Sequence, residues 1–221
     1  MIDQLTINGV GSYDEYEANV SLRTIAAPTK KVIKETVPFS NETYDFSSIN
    51  GEPYWDERVL EYVLELTANS PEELEEKKMK LSSWLMNVQE AEIHDPHIHD
   101  YHFIGTFEAI SYADEVEKTT ATVQFSAYPY MRSNAKRAFT ASLTSASDTT
   151  VAVYNNSSHR VTPTFICNVP FIIKHDGTSY AVSSGEITDH SFSLNRGSNT
   201  IEARSVSGSG TLKIEFYEEV F

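Results

Sequence analysis

Short runs of alternating apolar and polar residues, separated by turns, recur along almost the whole chain of 221 residues. Alternation with a period of two places every second side chain on one face of a β-strand. The pattern is most regular between residues 149 and 216, where about seven such runs are separated by turn sequences such as Asp176-Gly177 and Arg196-Gly197. Strands this short must bury their apolar faces against other sheets. The sequence therefore predicts a mainly β protein.

One segment has the periodicity of a helix instead. Ser70-Pro71-Glu72-Glu73 combines an N-cap serine, a proline at the first helical position and the glutamate of a capping box. Apolar residues then recur at helical spacing, namely Leu74, Leu81, Trp84, Leu85 and Val88. We expect a single amphipathic helix over about 71–89, with one stripe facing a core.

A change in composition divides the chain into two parts. From Arg137 onward Ser, Thr and Asn become frequent and the strands shorten, and Met131–Lys136 has the character of a linker. We expect a first domain over residues 1–136, a β-sandwich or sheet that carries the helix. Residues 137–221 are expected to form a second domain, a jelly-roll β-sandwich.

Two local predictions concern the first domain. Tyr13–Thr24 has the pattern of one continuous strand. Asn50-Gly51 lies between Tyr44–Ser47 and Tyr54-Trp55, and an Asn-Gly pair between extended runs favours a hairpin turn.

Composition argues against several classes of protein. The mean hydropathy is −0.36, and no apolar run approaches twenty residues, so we expect no membrane insertion. Met1–Ile7 lacks the basic start and apolar stretch of a signal peptide. A net charge of −15 repels phosphates, so we expect no specific binding of nucleic acid. The single cysteine, Cys167, lies in an apolar run and is expected to be an inert core thiol.

The densest group of chemically active side chains lies between residues 94 and 102, with four histidines and two aspartates. On a strand, His97 and His99 would share one face, as two metal ligands must. The segment is nevertheless a polar connector between the helix and a strand, where histidine is ordinary. We therefore predict a solvated or interfacial loop and no metal site. The alternative ligands are His94, His97, His99 and His102.

Sequence motifs of catalysis are absent. There is no nucleophile elbow, phosphate loop or dinucleotide fingerprint, so we predict no catalytic residue, no cofactor and no enzymatic activity. Two other classes stay open: a carbohydrate-binding β-sandwich module and a metal-dependent enzyme centred on 94–102. For the former, both tryptophans lie in the first half of the chain, and no set of sugar-binding residues is found. The second half keeps three tyrosines with suitable rings, Tyr154, Tyr180 and Tyr217.

Several tracts, in their order and spacing, resemble the distal tail protein (Dit) family of siphophages. They are Pro38, Tyr44–Ser47, Tyr54 and Arg58 before a long apolar strand, the lone helix, the aromatic strand Tyr101–Gly105, the aromatic-proline-aromatic tract in Phe125–Tyr130, Val161–Phe165, and Ser193–Ile201. The resemblance extends over essentially the whole chain.

The resemblance implies a structural role in a virion. Residues 1–136 would be a ring-forming (hexamerisation) domain and residues 137–221 a galectin-like domain. Six copies would form a homohexameric ring at the distal end of the tail tube, in the baseplate region of the tail tip, after assembly in the host cytoplasm. The implied partners are the major tail tube protein, the tail-associated fibre-hub protein, the tape measure protein and receptor-binding proteins. Candidate interface residues are Tyr44, Asp45, Phe46, Tyr54, Trp55 and Arg58.

Overall fold

The structure, a computed structural model, describes residues 2–48, 51–115 and 118–221. Within these residues the chain is mainly β, with nineteen strands and two helices, which confirms the predicted fold class. Contacts divide it into two compact units: residues up to Met131 together with Phe221, and Arg132–Val220. This division lies shortly before the predicted boundary at 136/137. The roles expected of the two domains stay predictions.

The first unit is built on one antiparallel sheet. Its elements are β1 Thr6–Ile7, β2 Val10–Gly11, α1 Ser12–Tyr16, β3 Asn19–Ile25, β4 Lys34–Thr36, β5 Thr43–Asp45, β6 Arg58–Thr67, α2 Pro71–Leu85, β7 Ala91–His94, β8 Tyr101–Asp114 and β9 Lys118–Ala127. The strand order is β2-β1-β7-β8-β9-β6-β3, while β4 and β5 form a separate two-stranded sheet. Strand β3 is thus the last strand of this order.

Along β6 and β9 every second side chain is buried, and these buried side chains form the core of the first unit. The facing buried pairs are Leu60 and Phe125, Tyr62 and Val123, and Leu64 and Ala121. Helix α2 adds Leu74, Leu81 and Leu85 to the same hydrophobic cluster. Each fully buried side chain of this size stabilises the fold by about 1.5–3 kcal/mol.

The predicted helix exists, but it is shorter than expected. Helix α2 begins at Pro71 as predicted and ends at Leu85 rather than near residue 89, with Met86 as its C-cap. Val88 is still buried, because it packs in the same hydrophobic cluster, and its N–H bonds to the carbonyl of Leu85 in the turn that follows the helix. An apolar residue at helical spacing therefore lies outside the helix.

The single strand predicted over Tyr13–Thr24 is wrong in its first part. Residues Ser12–Tyr16 form helix α1, and β3 begins only at Asn19. The hydroxyl of Ser12 donates to the carbonyl of Ala18 at 2.9 Å and accepts from the N–H of Leu5 at 3.1 Å, which closes the turn. Glu17 is the C-cap of helix α1 and adopts the left-handed conformation, with φ of 54°.

The hairpin predicted at Asn50-Gly51 falls partly outside the described residues, because Asn50 is not among them. The strand before it, β5, pairs with β4 rather than with the expected partner Tyr54-Trp55. In this pairing Glu35 faces Tyr44 and Thr36 faces Thr43.

The second unit is a two-sheet sandwich. Its strands are β10 Met131–Ser133, which begins at the division between the units, β11 Arg137–Thr144, β12 Thr149–Asn155, β13 Thr164–Cys167, β14 Phe171–His175, β15 Thr178–Val182, β16 Gly185–Thr188, β17 Gly197–Ser205, β18 Ser209–Phe216 and β19 Glu219–Val220. The sheet orders are β11-β18-β13-β16 and β12-β17-β14-β15, and β19 pairs with β10. Thus the segment expected to be a linker contains a strand.

Side chains from both sheets fill the core of the second unit. Phe165 and Ile214 come from the first of these sheets, and Ile173 and Ile201 from the second. Cys167 is buried in the same cluster, and burial raises the pKa of its thiol to about 11. A thiol with so high a pKa is a poor nucleophile at neutral pH, which agrees with the expected core role.

Candidate functional site

The most exposed part of the first unit is the segment between β3 and β6, residues 26–57, which we call the arm. Among its described residues only Ser47 is buried. The arm nevertheless carries six exposed large apolar side chains: Val32, Ile33, Phe39, Tyr44, Phe46 and Tyr54. A two-stranded hairpin without a covered apolar face is marginally stable in water. The described part of the arm therefore presents these apolar side chains to solvent rather than to a core.

Backbone hydrogen bonds join the N-terminal and the C-terminal part of the arm, which we call its first and second legs. The N–H of Asp56 donates to the carbonyl of Thr29 at 2.9 Å, and the N–H of Lys31 donates to the carbonyl of Tyr54 at 2.8 Å. Further out, the hydroxyl of Ser47 accepts from the N–H of Ile33 at 2.9 Å. Hydrogen bonds thus connect the two legs of the arm, with β4 and β5 in its far part.

The candidate interface residues do not all lie on the exposed surface of the arm. Tyr44 and Phe46 are exposed on it, with rings 6.3 Å apart, and Asp45 lies between them. Hydrogen bonds from Ser47 hold the pKa of Asp45 below its usual range. Tyr54 is exposed on the second leg. Their role in an interface stays a prediction.

Trp55 and Arg58 instead hold the base of the arm. The ring of Trp55 packs edge-on against Phe221 with 4.8 Å between centroids. Arg58 is buried, and its Nε donates to the carbonyl of Ala26 at 2.8 Å. Its guanidinium also lies 5.3 Å from the ring centroid of Phe103. Burial lowers the pKa of Arg58.

Three exposed apolar residues of the arm were not among the sequence candidates: Val32, Ile33 and Phe39. A signal for them exists in the sequence. Val32-Ile33 is an apolar pair set among Lys30, Lys31 and Lys34, and the whole tract lies between two prolines, Pro28 and Pro38. Such a tract is unsuited to a central strand of a sheet.

The structure separates the histidines of residues 94–102. His94 and His102 lie together, with ring centroids 5.1 Å apart, and the carboxylate of Glu92 lies 3.8 and 4.0 Å from their Nε2 atoms. Burial, and then the neighbouring His102, lower the pKa of His94. His97 lies elsewhere, 3.4 Å from the carboxylate of Asp3, and His99 is exposed in the following turn. No group of three or more His, Cys, Asp or Glu side chains in the described ranges is arranged to hold a metal ion.

An open pocket of about 360 Å³ lies within the second unit. Its lining residues are Arg132, His159, Arg160, Val161, Thr162, Phe216, Tyr217 and Glu219. We call it the Glu219 pocket. Arg132 Nη2 lies 3.1 Å from one carboxylate oxygen of Glu219, and His159 Nε2 lies 2.8 Å from the other.

Neither helix in the described part of the chain is long and apolar enough to cross a bilayer.

Comparison with known proteins gives a match in structure but none in sequence. No protein-family model matches the chain, and no curated protein matches it. By contrast, a solved structure superposes over 100% of both chains with a TM-score of 0.72 and 13% sequence identity. The fold is therefore that of a phage tail hub protein. The matching structure is the Dit protein (gp 19.1) of phage SPP1, described as a paradigm of the hub adsorption apparatus in phages that infect Gram-positive bacteria. The resemblance to the Dit family is thus confirmed at the level of the fold.

Proposed function

We propose that this protein is a non-enzymatic structural component of a phage tail, which assembles into a ring at the distal end of the tail tube. The exposed apolar arm carries the proposal. Large contiguous apolar surfaces on a folded chain mark sites of protein association. The full-length structural match to SPP1 Dit supports the tail location.

The arm and the edge of the main sheet provide two different surfaces for assembly. Strand β3 is last in the sheet order and exposes Leu22, and an open edge offers main-chain donors and acceptors to an added strand. The arm carries three lysines against six acidic residues, so its contribution to assembly rests on its exposed apolar side chains rather than on its charge. When two different surfaces of a subunit meet head to tail, the contacts can close a ring.

The finer features of the proposal follow the Dit resemblance. Six copies form the ring through the first domain, and the ring joins the major tail tube protein to the fibre-hub protein and the tape measure protein. The second, galectin-like domain faces receptor-binding proteins. The protein is made in the host cytoplasm and resides at the tail tip of the virion, as in a siphophage baseplate.

Light scattering coupled to size exclusion, with negative-stain imaging, tests assembly. We expect the purified chain to form hexameric rings and the double variant Phe39→Ser, Phe46→Ser to be monomeric with unchanged secondary structure. Met79→Ser is the matched control, because Met79 is exposed on α2 outside the arm. The proposal fails if the natural chain stays monomeric both alone and with the tail tube protein, or if the arm variant assembles as the natural chain does.

A further inference from the structure

We infer that Phe39 in the arm of one copy packs against Leu22 on strand β3 of the next copy. The inference rests on the proposed ring, because it names the contact by which the arm binds a neighbouring subunit. Phe39 and Leu22 share one feature: an irregularity of the backbone turns each of these apolar side chains toward solvent.

Phe39 lies in the loop that joins β4 to β5, at the third position of a tight turn. The N–H of Ser40 donates to the carbonyl of Val37 at 3.2 Å, and Pro38 fixes the second position at a φ of about −65°. Phe39 itself has φ of 61°. These features define a type II turn, in which Gly is preferred at the third position because a bulky side chain is strained at positive φ. Phe39 is fully exposed, so burial of its ring does not offset the strain in the single chain.

A β-bulge turns Leu22 away from the core. Val20 pairs with Leu64 and Leu22 pairs with Val63, so β3 has one extra residue, Ser21, opposite two consecutive residues of β6. In a regular strand Val20 and Leu22 would lie on the same face. The bulge instead leaves Val20 buried and places Leu22 on the opposite, outer face of the sheet, where it is more than half exposed.

The outer face around Leu22 can receive an aromatic ring. Val59 and Val63 lie on this same face of β6, and Val59 is exposed. Strand β3 is last in the sheet order, so the backbone groups on its outer side can bind the main chain of an arriving loop. Aliphatic side chains beside an open strand edge thus match a turn that presents one ring.

The occupant of this surface is a second copy of the chain. Within one chain Phe39 is fully exposed and Leu22 more than half exposed, so neither residue covers the other. The six large apolar residues of the arm expose on the order of 600 Å², close to the roughly 800 Å² that each partner contributes to a standard interface. Because the two surfaces differ, their contact repeats head to tail from copy to copy.

Cross-linking between two single-cysteine variants tests the contact without removing Phe39 or Leu22. Ser40→Cys places a thiol beside Phe39, and Thr24→Cys places one on the outer face two residues from Leu22. The natural Cys167 is buried and stays unreactive. When the two variants are mixed and treated with a short bismaleimide, we expect a covalent dimer. Ser40→Cys mixed with Ser83→Cys is the matched control, because Ser83 is exposed on α2 outside the proposed contact.

Phe39→Gly distinguishes an anchor from a residue that only shapes the turn. Gly relieves the positive φ, so the urea midpoint of dilute, dissociated protein should rise, while loss of the ring should weaken association by about tenfold or more. Glu90→Gly is the matched control, because Glu90 is exposed, has φ of 45° and lies outside the arm. It should raise the urea midpoint and leave association unchanged.

The outcomes separate this contact from the proposed ring. Rings that form without the product of Ser40→Cys and Thr24→Cys overturn the contact and leave the ring proposal intact, whereas a chain that does not associate overturns both. The contact is also overturned if Ser40→Cys links to itself as readily as to Thr24→Cys, which indicates a symmetric interface. Association of Phe39→Gly equal to that of the natural chain overturns it as well.

Discussion

Asp95 is a buried carboxylate at which three stretches of the first unit meet. It accepts hydrogen bonds from Arg23 Nη1 at 2.5 Å, from the hydroxyl of Tyr62 at 3.1 Å and from the N–H of His97 at 2.8 Å. Burial, and then the charge of Asp95, raise the pKa of Tyr62, so the phenol remains a donor. A buried ion is tolerated only with such compensation.

Removal of the Asp95 carboxylate should therefore lower the stability of the first unit strongly. Asp95→Ala leaves the buried hydroxyl of Tyr62 and the guanidinium of Arg23 without their acceptor, and we expect the free energy of unfolding to fall by about 3 kcal/mol. Asp100→Ala is the control, because Asp100 is exposed in the same segment. Urea unfolding measures both. Equal stability of the two variants would contradict the structural role of Asp95.

Glu219 makes stability depend on pH in a defined direction. Burial by itself raises the pKa of Glu219. His159 and Arg132 lower this pKa by more than burial raises it, so the net value lies below that of an unfolded glutamate. The stabilising contribution is therefore complete above the unfolded pKa near 4.5 and is lost as the pH falls through the lower folded value. We expect the stability difference between the natural chain and Glu219→Gln to be largest at pH 6 and to shrink toward pH 3. Denaturant midpoints across this range measure it, and a constant difference would contradict it.

At the scale of elements, local sequence determines where helix α2 begins. The hydroxyl of Ser70 accepts from the N–H of Glu73 at 3.2 Å, and the carboxylate of Glu73 accepts from the N–H of Asn69 at 3.0 Å. The hydrogen bond from Asn69, and then that from Lys77, hold the pKa of Glu73 below its usual range. The returning bond therefore reaches one residue further back than in the usual capping box.

Loss of the cap should destabilise the first unit measurably. We expect Ser70→Ala to lower the free energy of unfolding by about 1 kcal/mol, since one N–H in the first turn loses its acceptor. Ser83→Ala serves as the control, because Ser83 is exposed within the same helix. Urea unfolding followed by circular dichroism measures both. If Ser83→Ala is as destabilising as Ser70→Ala, the loss cannot be assigned to the cap.

The start of α2 could be predicted because its determinants lie within four residues of one another. Its end could not, because Val88 continues the helical spacing while its burial depends on tertiary packing. Helix α1 was missed for a similar reason. It depends on bonds from Ser12 to residues six and seven positions away, which no periodicity reports.

The candidate sites show the same limit. Tyr44 and Phe46 alternate like residues of a half-buried strand, and alternation does not say whether another layer covers them. Arg58 was selected with them although it is buried. The Glu219 pocket joins Arg132 to Glu219, which are 87 positions apart, so no spacing along the chain could reveal it.

At the scale of the whole molecule, the buried apolar residues form two clusters with no residue in common, one in each unit. Separate cores predict separate cooperative transitions. We expect Leu64→Ala to lower the melting temperature of one calorimetric transition and Ile201→Ala that of the other. Each substitution should reduce the free energy of unfolding of its own unit by about 2–5 kcal/mol. Leu22→Ala and Val206→Ala are exposed controls, one from each unit. A single transition shifted by both core variants would contradict independent cores.

Assembly through the arm should stabilise only the unit that carries it. A partner that binds the folded state raises the apparent stability of that state in proportion to the logarithm of its free concentration. Leu64→Ala and Ile201→Ala assign the two transitions to the first and the second unit. If copies of the natural chain associate through the first unit, the melting temperature of the first unit should rise when the protein is made tenfold more concentrated. The melting temperature of the second unit should not change. The variant Phe39→Ser, Phe46→Ser should abolish this concentration dependence, because it removes two of the exposed apolar contacts of the arm. Should both transitions rise together in that variant, association would have to reside outside the arm.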